Sequence, residues 1–487
     1  MNRQIRRLSI IVVLMFIALM VSATYIQVIA EPSLSADSRN VRSIYNSFNK
    51  QRGPIIVDGA EIAASDPADD TFKWQRKYND SNLYSHITGY LSVVSDASTG
   101  LEKAYNEVLN GRSHSQTLAQ INSIITGEKP KGGAIELTLN PAMQRAAADG
   151  LGKLRGSVVA LDPKTGAVLA MYSTPNYDAN SIASHDRKTS LSAFDTLNKD
   201  KHQPLVPKAT ADNFPPGSTF KIITAAAMLS NGITPETILD APQFLALPDS
   251  DKKLPNYANR PCGSGRVPLR YAFGMSCNTP FAKSAMELGA DQIRKFAKDF
   301  GFNETTDLSR LNVAKSNFPN KLYLPQLAYS AIGQYEVRAT PLQMAVVAAT
   351  IANDGVRMKP YVVGAELDSN LKPVSQTTPE IAANVLTPQV AKDLKGMMEY
   401  VVTSRFTTNV HLKDVKIAAK TGTAQTGIDG QDPHAWLVGY APADNPQIAF
   451  AVLIEGVDQG HHDENANRAA RIAESLITAG LSSRKAG

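Results

Sequence analysis

The sequence predicts an α/β (α+β layered) protein whose main domain is an antiparallel sheet flanked by helices. Strand-like segments in residues 156–173 and 435–455 form pairs around short turns, which is typical of antiparallel hairpins. Helical segments precede and follow these pairs, and the last is an Ala-rich amphipathic helix from Glu464 to Ala479. A long apolar run at the start of the chain indicates a membrane helix.

At 487 residues the chain is long enough for two or three domains. We expect a cytoplasmic tip and membrane anchor in residues 1–30, an N-terminal domain in residues 31–154 and a C-terminal domain in residues 155–487. The N-terminal domain reads as a series of short elements: a strand in residues 52–59, a helix in 100–109, a strand in 134–139 and a helix from 141 to about 154.

The N-terminus predicts a single-pass protein of the cell membrane. The run from Leu8 to Ile29 has 22 residues without a charge, and a helix of that length spans about 33 Å, enough for a bilayer core of about 30 Å. A cytoplasmic N-terminus and extracytoplasmic domains are favoured by the preceding Arg3, Arg6 and Arg7. The alternative is a cleaved signal peptide with small residues at 21–23, but the uninterrupted apolar run favours an anchor.

The composition excludes several classes of function. A net charge of +5, with no dense Lys/Arg cluster near aromatic residues, argues against a nucleic-acid-binding protein. The eight histidines and two cysteines show no metal-ligand spacing. We therefore expect no metal and no cofactor, and look for chemistry carried by ordinary side chains.

Ser218 is the candidate nucleophile, because a Ser-x-x-Lys motif begins a buried helix there. Residues 214–217 (Phe-Pro-Pro-Gly) cannot be helical, and the nearly all-apolar segment from Ser218 to Ser230 predicts a buried helix. Lys221 lies one turn along, on the same face as the Ser218 hydroxyl. A buried lysine without a carboxylate partner loses its charge readily, and a neutral amine can take the serine proton. Unpaired N–H groups of the first turn can stabilise an oxyanion.

Ser-x-x-Lys alone is a weak motif, since further copies start at Ser47, Ser250, Ser369 and Ser482. Those copies lie in polar segments with no buried face. The ordinary role of a serine at a helix start is an N-cap, but a cap does not explain a lysine one turn inside an apolar helix.

A Ser-Cys-Asn segment at residues 276–278 supplies the second candidate group. Ser276 is a candidate relay for a proton between Lys221 and a leaving amine. Asn278 is a candidate to hold Lys221 and to donate to a substrate carbonyl. The alternative is a helix-start cap without chemistry, which is the more common role of a Ser-x-Asn pattern.

The two cysteines lie close to this segment in the sequence. In an exported protein Cys262 and Cys277 can form a disulfide. Two free buried thiols are equally compatible with the sequence, because the sequence does not give the distance between the Cα atoms.

A Lys-Thr-Gly-Thr segment supplies the third candidate group, which consists of Lys420, Thr421, Gly422 and Thr423. It belongs to a strand-like run that we expect to be accessible, where a cation and two hydroxyls suit a carboxylate. Gly422 has no side chain, so a ligand can approach the backbone closely. A second Lys-Thr-Gly, starting at Lys164, follows Asp-Pro and is interpreted as a hairpin turn.

In this order, the three motifs resemble those of the penicillin-binding protein and serine β-lactamase superfamily. Other segments are similar to class B penicillin-binding proteins. In the N-terminal region these are Arg39-Asn40-x-Arg42, Arg52-Gly53-x-Ile55, Asp58-Gly59, and Gly100-Leu101-Glu102 with Tyr105, Leu109 and Gly111. In the C-terminal region these are residues 160–166 with Ala170-Met171, Gly333-Gln334, residues 340–343, and Trp436 with Gly439-Tyr440. The resemblance covers nearly the whole chain.

The resemblance implies a transpeptidase domain on an N-terminal pedestal, and a peptidoglycan D,D-transpeptidase activity. Ser218 would attack the penultimate D-alanine carbonyl of a D-alanyl-D-alanine stem peptide, and an amine of a neighbouring stem would take the acyl group. Lys221 would be the base and Ser276 the proton shuttle. The terminal carboxylate would be held by Lys420, Thr421 and Thr423. Backbone N–H groups of Ser218 and Thr423 would form the oxyanion hole, and β-lactam antibiotics would acylate Ser218.

The resemblance also implies partners and leaves two other functions open. Nothing before residue 155 resembles a glycosyltransferase domain, so glycan polymerisation would come from a membrane glycosyltransferase acting with elongation or division proteins. One alternative is a D,D-carboxypeptidase or a β-lactam-hydrolysing or sensing relative, against which the pedestal argues because a hydrolase needs no spacing from the membrane. The other is a non-catalytic wall-binding scaffold, against which the retained motif residues argue.

Overall fold

A computed structural model describes residues 2–30, 50–113, 131–428, 430–457 and 462–486. Residues 39–42, which contribute to the resemblance above, lie outside the described residues. The α-helices are α1 (Asn2–Thr24), α2 (Ser81–Thr88), α3 (Gly100–Ala104), α4 (Asn106–Leu109), α5 (Pro141–Leu151), α6 (Ala179–Ala183), α7 (Arg187–Lys199), α8 (Lys208–Ala211), α9 (Lys221–Ser230), α10 (Leu269–Gly274), α11 (Thr279–Leu288), α12 (Ala290–Asp299), α13 (Leu324–Ser330), α14 (Pro341–Ala352), α15 (Pro388–Ser404) and α16 (His462–Ala486).

The strands are β1 (Ile55–Val57), β2 (Ala60–Pro67), β3 (Trp74–Tyr78), β4 (Leu91–Ser92), β5 (Ala97–Ser98), β6 (Ala134–Leu137), β7 (Gly156–Leu161), β8 (Val168–Thr174), β9 (Ile238–Asp240), β10 (Phe244–Ala246), β11 (Lys253–Pro255), β12 (Arg266–Pro268), β13 (Val356–Met358), β14 (Val363–Leu367), β15 (Pro373–Gln376), β16 (Ile381–Asn384), β17 (Ala418–Ala424), β18 (His434–Ala441) and β19 (Ile448–Ile454). Short 3-10 helices occupy Gly217–Phe220 and Tyr257–Asn259, and a π-helix at Tyr25–Ile29 continues α1.

The C-terminal domain is built on a five-stranded antiparallel sheet in the order β17-β18-β19-β7-β8. The predicted antiparallel sheet with flanking helices is therefore confirmed. The turn between β7 and β8 contains the second Lys-Thr-Gly, and Asp162 Oδ1 accepts from the backbone N–H groups of Lys164 and Thr165 at 2.9 and 3.2 Å. As predicted, that copy is a hairpin turn.

Helices cover both faces of this sheet, and β19 is therefore buried along its whole length. On one face, α5 and α16 pack against each other and against the sheet. On the other, α14 lies over β7, β18 and β19, and α15 contacts β17 and α9. Every residue of α9 from Lys221 to Leu229 is buried, as its nearly all-apolar sequence predicts. The helix that carries the lysine is thus enclosed by the core.

The N-terminal domain contains a six-stranded sheet in the order β15-β14-β6-β1-β2-β3. Its strand β1 lies within the strand predicted for residues 52–59, pairs in parallel with β6 and is buried throughout. Strands β14 and β15 come from residues 363–376, far along the chain, and extend this sheet through β6. The two domains are therefore connected by a shared sheet as well as by the chain.

Several predicted element ends differ from the structure for local reasons. The expected helix at 100–109 is interrupted at Tyr105, whose backbone (φ −114°, ψ 26°) departs from helical geometry. Helix α5 ends at Leu151 because Gly152 takes a left-handed φ of 50°. At the N-terminus, the stretch Arg3–Gln27 is helical and exposed, and it is long and apolar enough to cross a membrane by length and composition.

Candidate active site

Ser218 lies in a turn where a 3-10 helix meets α9. The sequence predicts one helix from Ser218 onwards, but residues 217–220 form a 3-10 turn and the α-helix begins at Lys221. The segment before it is not helical, because Pro215 and Pro216 have no N–H to donate to a preceding turn, and Gly217 has a left-handed φ of 53°. The Gly217 N–H donates to Gly333 O at 3.0 Å, which fixes the turn against a second loop.

The Lys221 amine is the centre of the site. Its Nζ lies 3.1 Å from Ser218 Oγ, so the predicted serine–lysine contact exists despite the 3-10 geometry. Nζ also donates to Ser276 O at 2.7 Å and to Asn278 Oδ1 at 2.8 Å. Ser276 Oγ lies at 3.5 Å, at the limit of a hydrogen bond.

Lys221 is 0% exposed, and no carboxylate is among its hydrogen-bond or ion-pair partners in the described part of the chain. Burial lowers the pKa of this amine well below its ordinary value, and the positive charge of Lys420 lowers it further. The ring of Phe281 lies 5.6 Å from Nζ and adds to the apolar surroundings. Lys221 is therefore an amine that is neutral at a pH where an exposed lysine is charged.

Asn278 and Ser276 come to Lys221 from the segment before α11. Asn278 occupies the N-cap position of α11, yet its side chain makes no cap hydrogen bond. Its Oδ1 accepts from Lys221 instead, and its Nδ2 donates to Pro255 O at 2.9 Å. The alternative of a simple helix cap is thus not what the side chain does. Ser276 has a left-handed φ of 57°, which is unusual for a residue with a side chain.

The two cysteines form a disulfide between Cys262 and Cys277, with Cα atoms 5.9 Å apart. This settles the question that the sequence left open. Because Cys277 lies between Ser276 and Asn278, the bridge ties both of them to the loop that carries Cys262.

Lys420 reaches the site from β17, the edge strand of the five-stranded sheet. Its Nζ donates to Ser276 Oγ at 2.9 Å and to Thr421 O at 3.0 Å. The strand expected to be accessible is mostly buried. Lys420 itself is 0% exposed, because its amine turns inward beside Phe273, 5.6 Å from the ring centre. Burial lowers the pKa of Lys420 to about 7.

Gly422 permits close contact between β17 and the Ser218 turn. A Cβ at this position would lie 2.9 Å from Pro216 O and 3.0 Å from Thr219 Cγ2. The sequence predicts that a ligand approaches Gly422, but in the structure the Ser218 turn of the chain itself occupies this space. Thr421 and Thr423 flank Gly422 and are half-buried.

The structure brings all of the predicted site residues to one place. Ser218, Lys221, Ser276, Asn278 and Lys420 are linked by side-chain contacts of 2.8 to 3.5 Å. The motifs do not include the residues that shape this network, of which the clearest are Pro255, Phe273 and Phe281. Trp436 was noted only as part of a resemblance, and its Nε1 donates to Pro215 O at 3.0 Å beside the Ser218 turn.

The site combines a serine and a lysine at the start of a buried helix with a second buried lysine on the edge strand of an antiparallel sheet. This arrangement is typical of enzymes that react through an acyl-serine. Family models agree with this class. Residues 156–478 match the penicillin binding protein transpeptidase domain, and residues 52–135 match the penicillin binding protein A dimerisation domain.

Individual relatives extend the match to the whole chain. The peptidoglycan D,D-transpeptidase PbpA of Mycolicibacterium smegmatis is 39% identical over 99% of both chains, and that of Mycobacterium tuberculosis is 37% identical over 99% of both. The structure of penicillin-binding protein A from M. tuberculosis as a ceftriaxone acyl-enzyme complex covers 90% of this chain and 100% of its own, with a TM-score of 0.85 and 36% identity. The chain belongs to the penicillin-binding protein transpeptidase family.

Proposed function

We propose that this chain is a peptidoglycan D,D-transpeptidase in which Ser218 is the nucleophile and Lys221 the general base. Its relatives bear this activity in their names, and a relative of the same fold has been captured as an acyl-enzyme with a β-lactam. The residue roles rest on the geometry around one nitrogen atom, Lys221 Nζ.

The hydrogen bonds of Lys221 favour a neutral amine that accepts the proton of Ser218. A neutral amine has two N–H groups and one lone pair. Two acceptors, Ser276 O and Asn278 Oδ1, lie closest to Nζ and use the two N–H groups. The lone pair is then left for Ser218 Oγ at 3.1 Å. The contact with Ser218 Oγ and the full burial of Nζ carry the proposal, because a charged lysine in this place would lack a carboxylate counter-ion among its described partners.

Acylation follows from this arrangement. Ser218 Oγ attacks the carbonyl carbon of the penultimate D-alanine while its proton moves to Lys221 Nζ. The C–N bond to the terminal D-alanine then breaks, and the leaving nitrogen takes a proton from the site. Ser276 Oγ is placed to pass it, at 3.5 Å from Lys221 Nζ and 2.9 Å from Lys420 Nζ. The product is an ester of Ser218 and free D-alanine.

Transfer reverses these proton movements. The amine of a neighbouring stem peptide attacks the ester carbonyl and gives a proton to Lys221, and Ser218 Oγ leaves and is reprotonated. Backbone N–H groups of Ser218 and Thr423 stabilise the oxyanion of both steps. A β-lactam follows the acylation half, with its ring C–N bond as the bond that breaks.

Substrate orientation is assigned to β17. The terminal carboxylate binds Lys420, Thr421 and Thr423, and Gly422 keeps the strand close to the Ser218 turn. A charged Lys420 also lowers the pKa of Lys221 through repulsion. One buried cation thus binds the substrate and keeps the neighbouring amine in the neutral form that can accept a proton.

The position of the chain in the cell is also part of the proposal. Residues 1–30 form the cytoplasmic tip and anchor, residues 31–154 the pedestal and residues 155–487 the transpeptidase domain, with the latter two outside the membrane. The arginines before α1 support this orientation. Glycan polymerisation is assigned to a membrane glycosyltransferase partner that works with elongation or division proteins.

The test is to label the full-length protein with fluorescent penicillin and to map the adduct by mass spectrometry. We expect one adduct, on Ser218, and none in Ser218→Ala. Ser250→Ala is the matched control, because Ser250 begins an exposed Ser-x-x-Lys and its loss should leave labelling intact. An adduct elsewhere, or no adduct, would contradict the assignment.

The same assay separates the transpeptidase from the two alternatives. A long-lived penicillin adduct, and transfer of a D-alanyl-D-alanine donor to an added amine, are expected. Rapid release of penicilloate, or hydrolysis with no transfer, would indicate a β-lactamase or carboxypeptidase. Cells that keep normal cross-linking with Ser218→Ala as their sole copy would indicate a scaffold.

A further inference from the structure

Two asparagines near the site stand at helix starts, and neither of them caps its own helix. Asn278 precedes α11, and Asn256 precedes the 3-10 helix Tyr257–Asn259; neither side chain makes a cap hydrogen bond there. An asparagine in such a position ordinarily accepts a hydrogen bond from an N–H of the turn that follows. The side chain of Asn278 binds Lys221 instead, and the side chain of Asn256 has a different partner.

Asn256 caps α11 in place of Asn278. Its Oδ1 accepts from the backbone N–H groups of Asn278 at 2.8 Å and of Thr279 at 3.1 Å. Its Nδ2 donates to Pro242 O at 3.1 Å, and the residue is only 5% exposed. N–H groups at a helix start have no carbonyl of their own helix to bind. One buried oxygen, from a residue 22 positions earlier in the chain, thus supplies this cap.

The two hydrogen bonds to Asn256 Oδ1 fix the backbone of Asn278. They hold the N–H groups of the two planar peptide units on either side of its Cα, so they restrict both φ and ψ of this residue. Asn278 has φ −92° and ψ −44°. The backbone sets the direction of the side chain and the rotamers open to it. The cap therefore determines whether Asn278 Oδ1 reaches Lys221 Nζ, which lies 2.8 Å away.

The residue before Asn256 fixes the other end of the same side chain. Asn278 Nδ2 donates to Pro255 O at 2.9 Å, which turns Oδ1 and not Nδ2 toward Lys221. The opposite orientation would place one donor against another, because Nδ2 and the amine N–H groups are all donors. Residues 255 and 256 together hold both the amide and the backbone of Asn278.

We propose that Asn256 is a positioning residue for the acylation of Ser218. By capping α11 it holds Asn278, and Asn278 in turn orients the Lys221 amine toward Ser218 Oγ. Asn256 acts only through Asn278, since none of its described hydrogen bonds reaches Ser218 or Lys221. This role rests on the proposed function, because it requires Ser218 and Lys221 to react as assigned, whereas the cap itself does not.

The first test is the rate of penicillin acylation of full-length Asn256→Ala, measured per folded molecule. The rate should fall by about 10- to 100-fold, because a displacement of about 1 Å in a reacting group is enough for such a loss. Mass spectrometry of the adduct tests the proposed function separately. An adduct away from Ser218 would contradict the proposed function, whereas an adduct on Ser218 formed at the rate of the parent chain would overturn only the role of Asn256.

The matched control is Asn140→Ala, which removes another asparagine that caps a helix. Asn140 Oδ1 accepts from the backbone N–H of Met143 at 3.0 Å at the start of α5, and Asn140 has no described contact with the Ser218 network. Asn140→Ala should lower the melting temperature and leave the acylation rate unchanged. An equal loss of rate in the two variants would assign the effect to the loss of any helix cap and overturn the proposal.

A double-mutant cycle with Asn278→Ala distinguishes positioning from a general structural role. Asn278→Ala removes the side chain that Asn256 is proposed to aim. In that background, Asn256→Ala should slow acylation by less than about threefold more, since residues that act through one another are not additive. The full loss seen in the parent background, repeated in the Asn278→Ala background, would show that the two residues act independently and would refute the proposal.

Asn256→Asp guards against loss of the fold in Asn256→Ala. It keeps an oxygen acceptor of the same reach for the two N–H groups and gives up only the donor to Pro242 O. We expect a lower melting temperature but acylation within about fivefold of the parent at the variant's own pH optimum, because a carboxylate accepts strongly from backbone N–H groups. A folded Asn256→Asp protein that is acylated as slowly as Asn278→Ala would overturn the proposal.

Discussion

The two domains bury charged side chains in opposite ways. In the N-terminal domain Glu102 is 0% exposed and lies between two arginines, with Oε2 2.6 Å from Arg52 Nε and Oε1 2.6 Å from Arg76 Nε. In the C-terminal domain, Lys221 and Lys420 are also 0% exposed, but neither has a carboxylate among its described partners. The first cluster pairs its buried charges with an opposite charge, and the second does not.

The pKa directions follow from this difference. Burial acts to raise the pKa of Glu102, but the nearby charges of Arg76 and Arg52 outweigh it, and the carboxyl pKa falls below its ordinary value. The arginines meet further acceptors, including Asn106 Oδ1 at 2.7 Å and Gly53 O at 2.9 Å. For Lys221 and Lys420 no negative charge offsets the effect of burial, and both pKa values fall. The first cluster stays ionised and holds the pedestal together, whereas the second contains amines that can exchange protons.

Removal of the amine from the lysine pair should have the largest effect on activity. In Lys221→Met the side chain keeps its approximate volume but loses the proton acceptor of Ser218. The rate of penicillin acylation should fall by about 10²- to 10⁴-fold, as for the loss of a general base, while the melting temperature stays close to that of the parent. Stopped-flow or gel-based labelling measures the rate.

The matched control for Lys221→Met is Lys253→Met, which changes the lysine of the exposed Ser-x-x-Lys motif. It should acylate at the rate of the parent chain. Acylation of Lys221→Met within a factor of about three of the parent would show that another group removes the proton.

Loss of the central carboxylate from the Arg52–Glu102–Arg76 cluster should instead affect stability. Glu102→Gln leaves two buried arginines without a counter-ion, and the free energy of unfolding of the N-terminal domain should fall by about 3–5 kcal/mol. Urea denaturation of the detergent-solubilised protein measures this change. Penicillin acylation per folded molecule should not change, because the cluster lies outside the Ser218 network.

The control for Glu102→Gln is an exposed pair of one carboxylate and one arginine. Asp80→Asn removes the partner of Arg145 where both side chains are more than half exposed, and should cost less than about 1 kcal/mol. A Glu102→Gln protein as stable as Asp80→Asn would mean that the buried cluster contributes little.

Some features of the two domains can be predicted from the sequence and others cannot. Helical spacing was enough to place Lys221 beside Ser218, because residues three apart share a face in both 3-10 and α-helices. The burial of Lys420 and its contact with Ser276 could not be predicted, since the two residues are 144 positions apart and meet only through the packing of β17. The same holds for β14, whose short sequence carries no sign that it joins the N-terminal sheet.

The packing of Gly422 against the Ser218 turn shows a similar limit to prediction from the sequence. Glycine in a strand indicates a close neighbour, but the sequence does not say whether that neighbour is a ligand or the chain. The network around Glu102 was likewise missed as a cluster, because its members come from separate short elements. Local geometry was predictable, and contacts that depend on how distant segments pack were not.

The smallest predicted effect is a pH dependence that belongs to the lysine pair alone. With a pKa of about 7, Lys420 is mostly charged at pH 6 and mostly neutral at pH 8. The charged form attracts the carboxylate of penicillin, so the second-order rate constant for acylation should fall by roughly tenfold between these pH values on account of Lys420. Protonation of Lys221 opposes this at low pH, because the rate rises as pH passes upward through the lowered pKa of that amine.

A penicillin methyl ester separates the two arms of this pH profile, the rise caused by Lys221 and the fall caused by Lys420. It has no carboxylate, so its slower acylation should keep the rising arm from Lys221 and lose the falling arm from Lys420. At saturating penicillin the bound carboxylate raises the pKa of Lys420, and the falling arm should move to higher pH. Glu102, whose lowered pKa keeps it ionised above pH 6, contributes to neither arm. A falling arm that persists with the ester would assign the titration to a group other than the carboxylate-binding lysine.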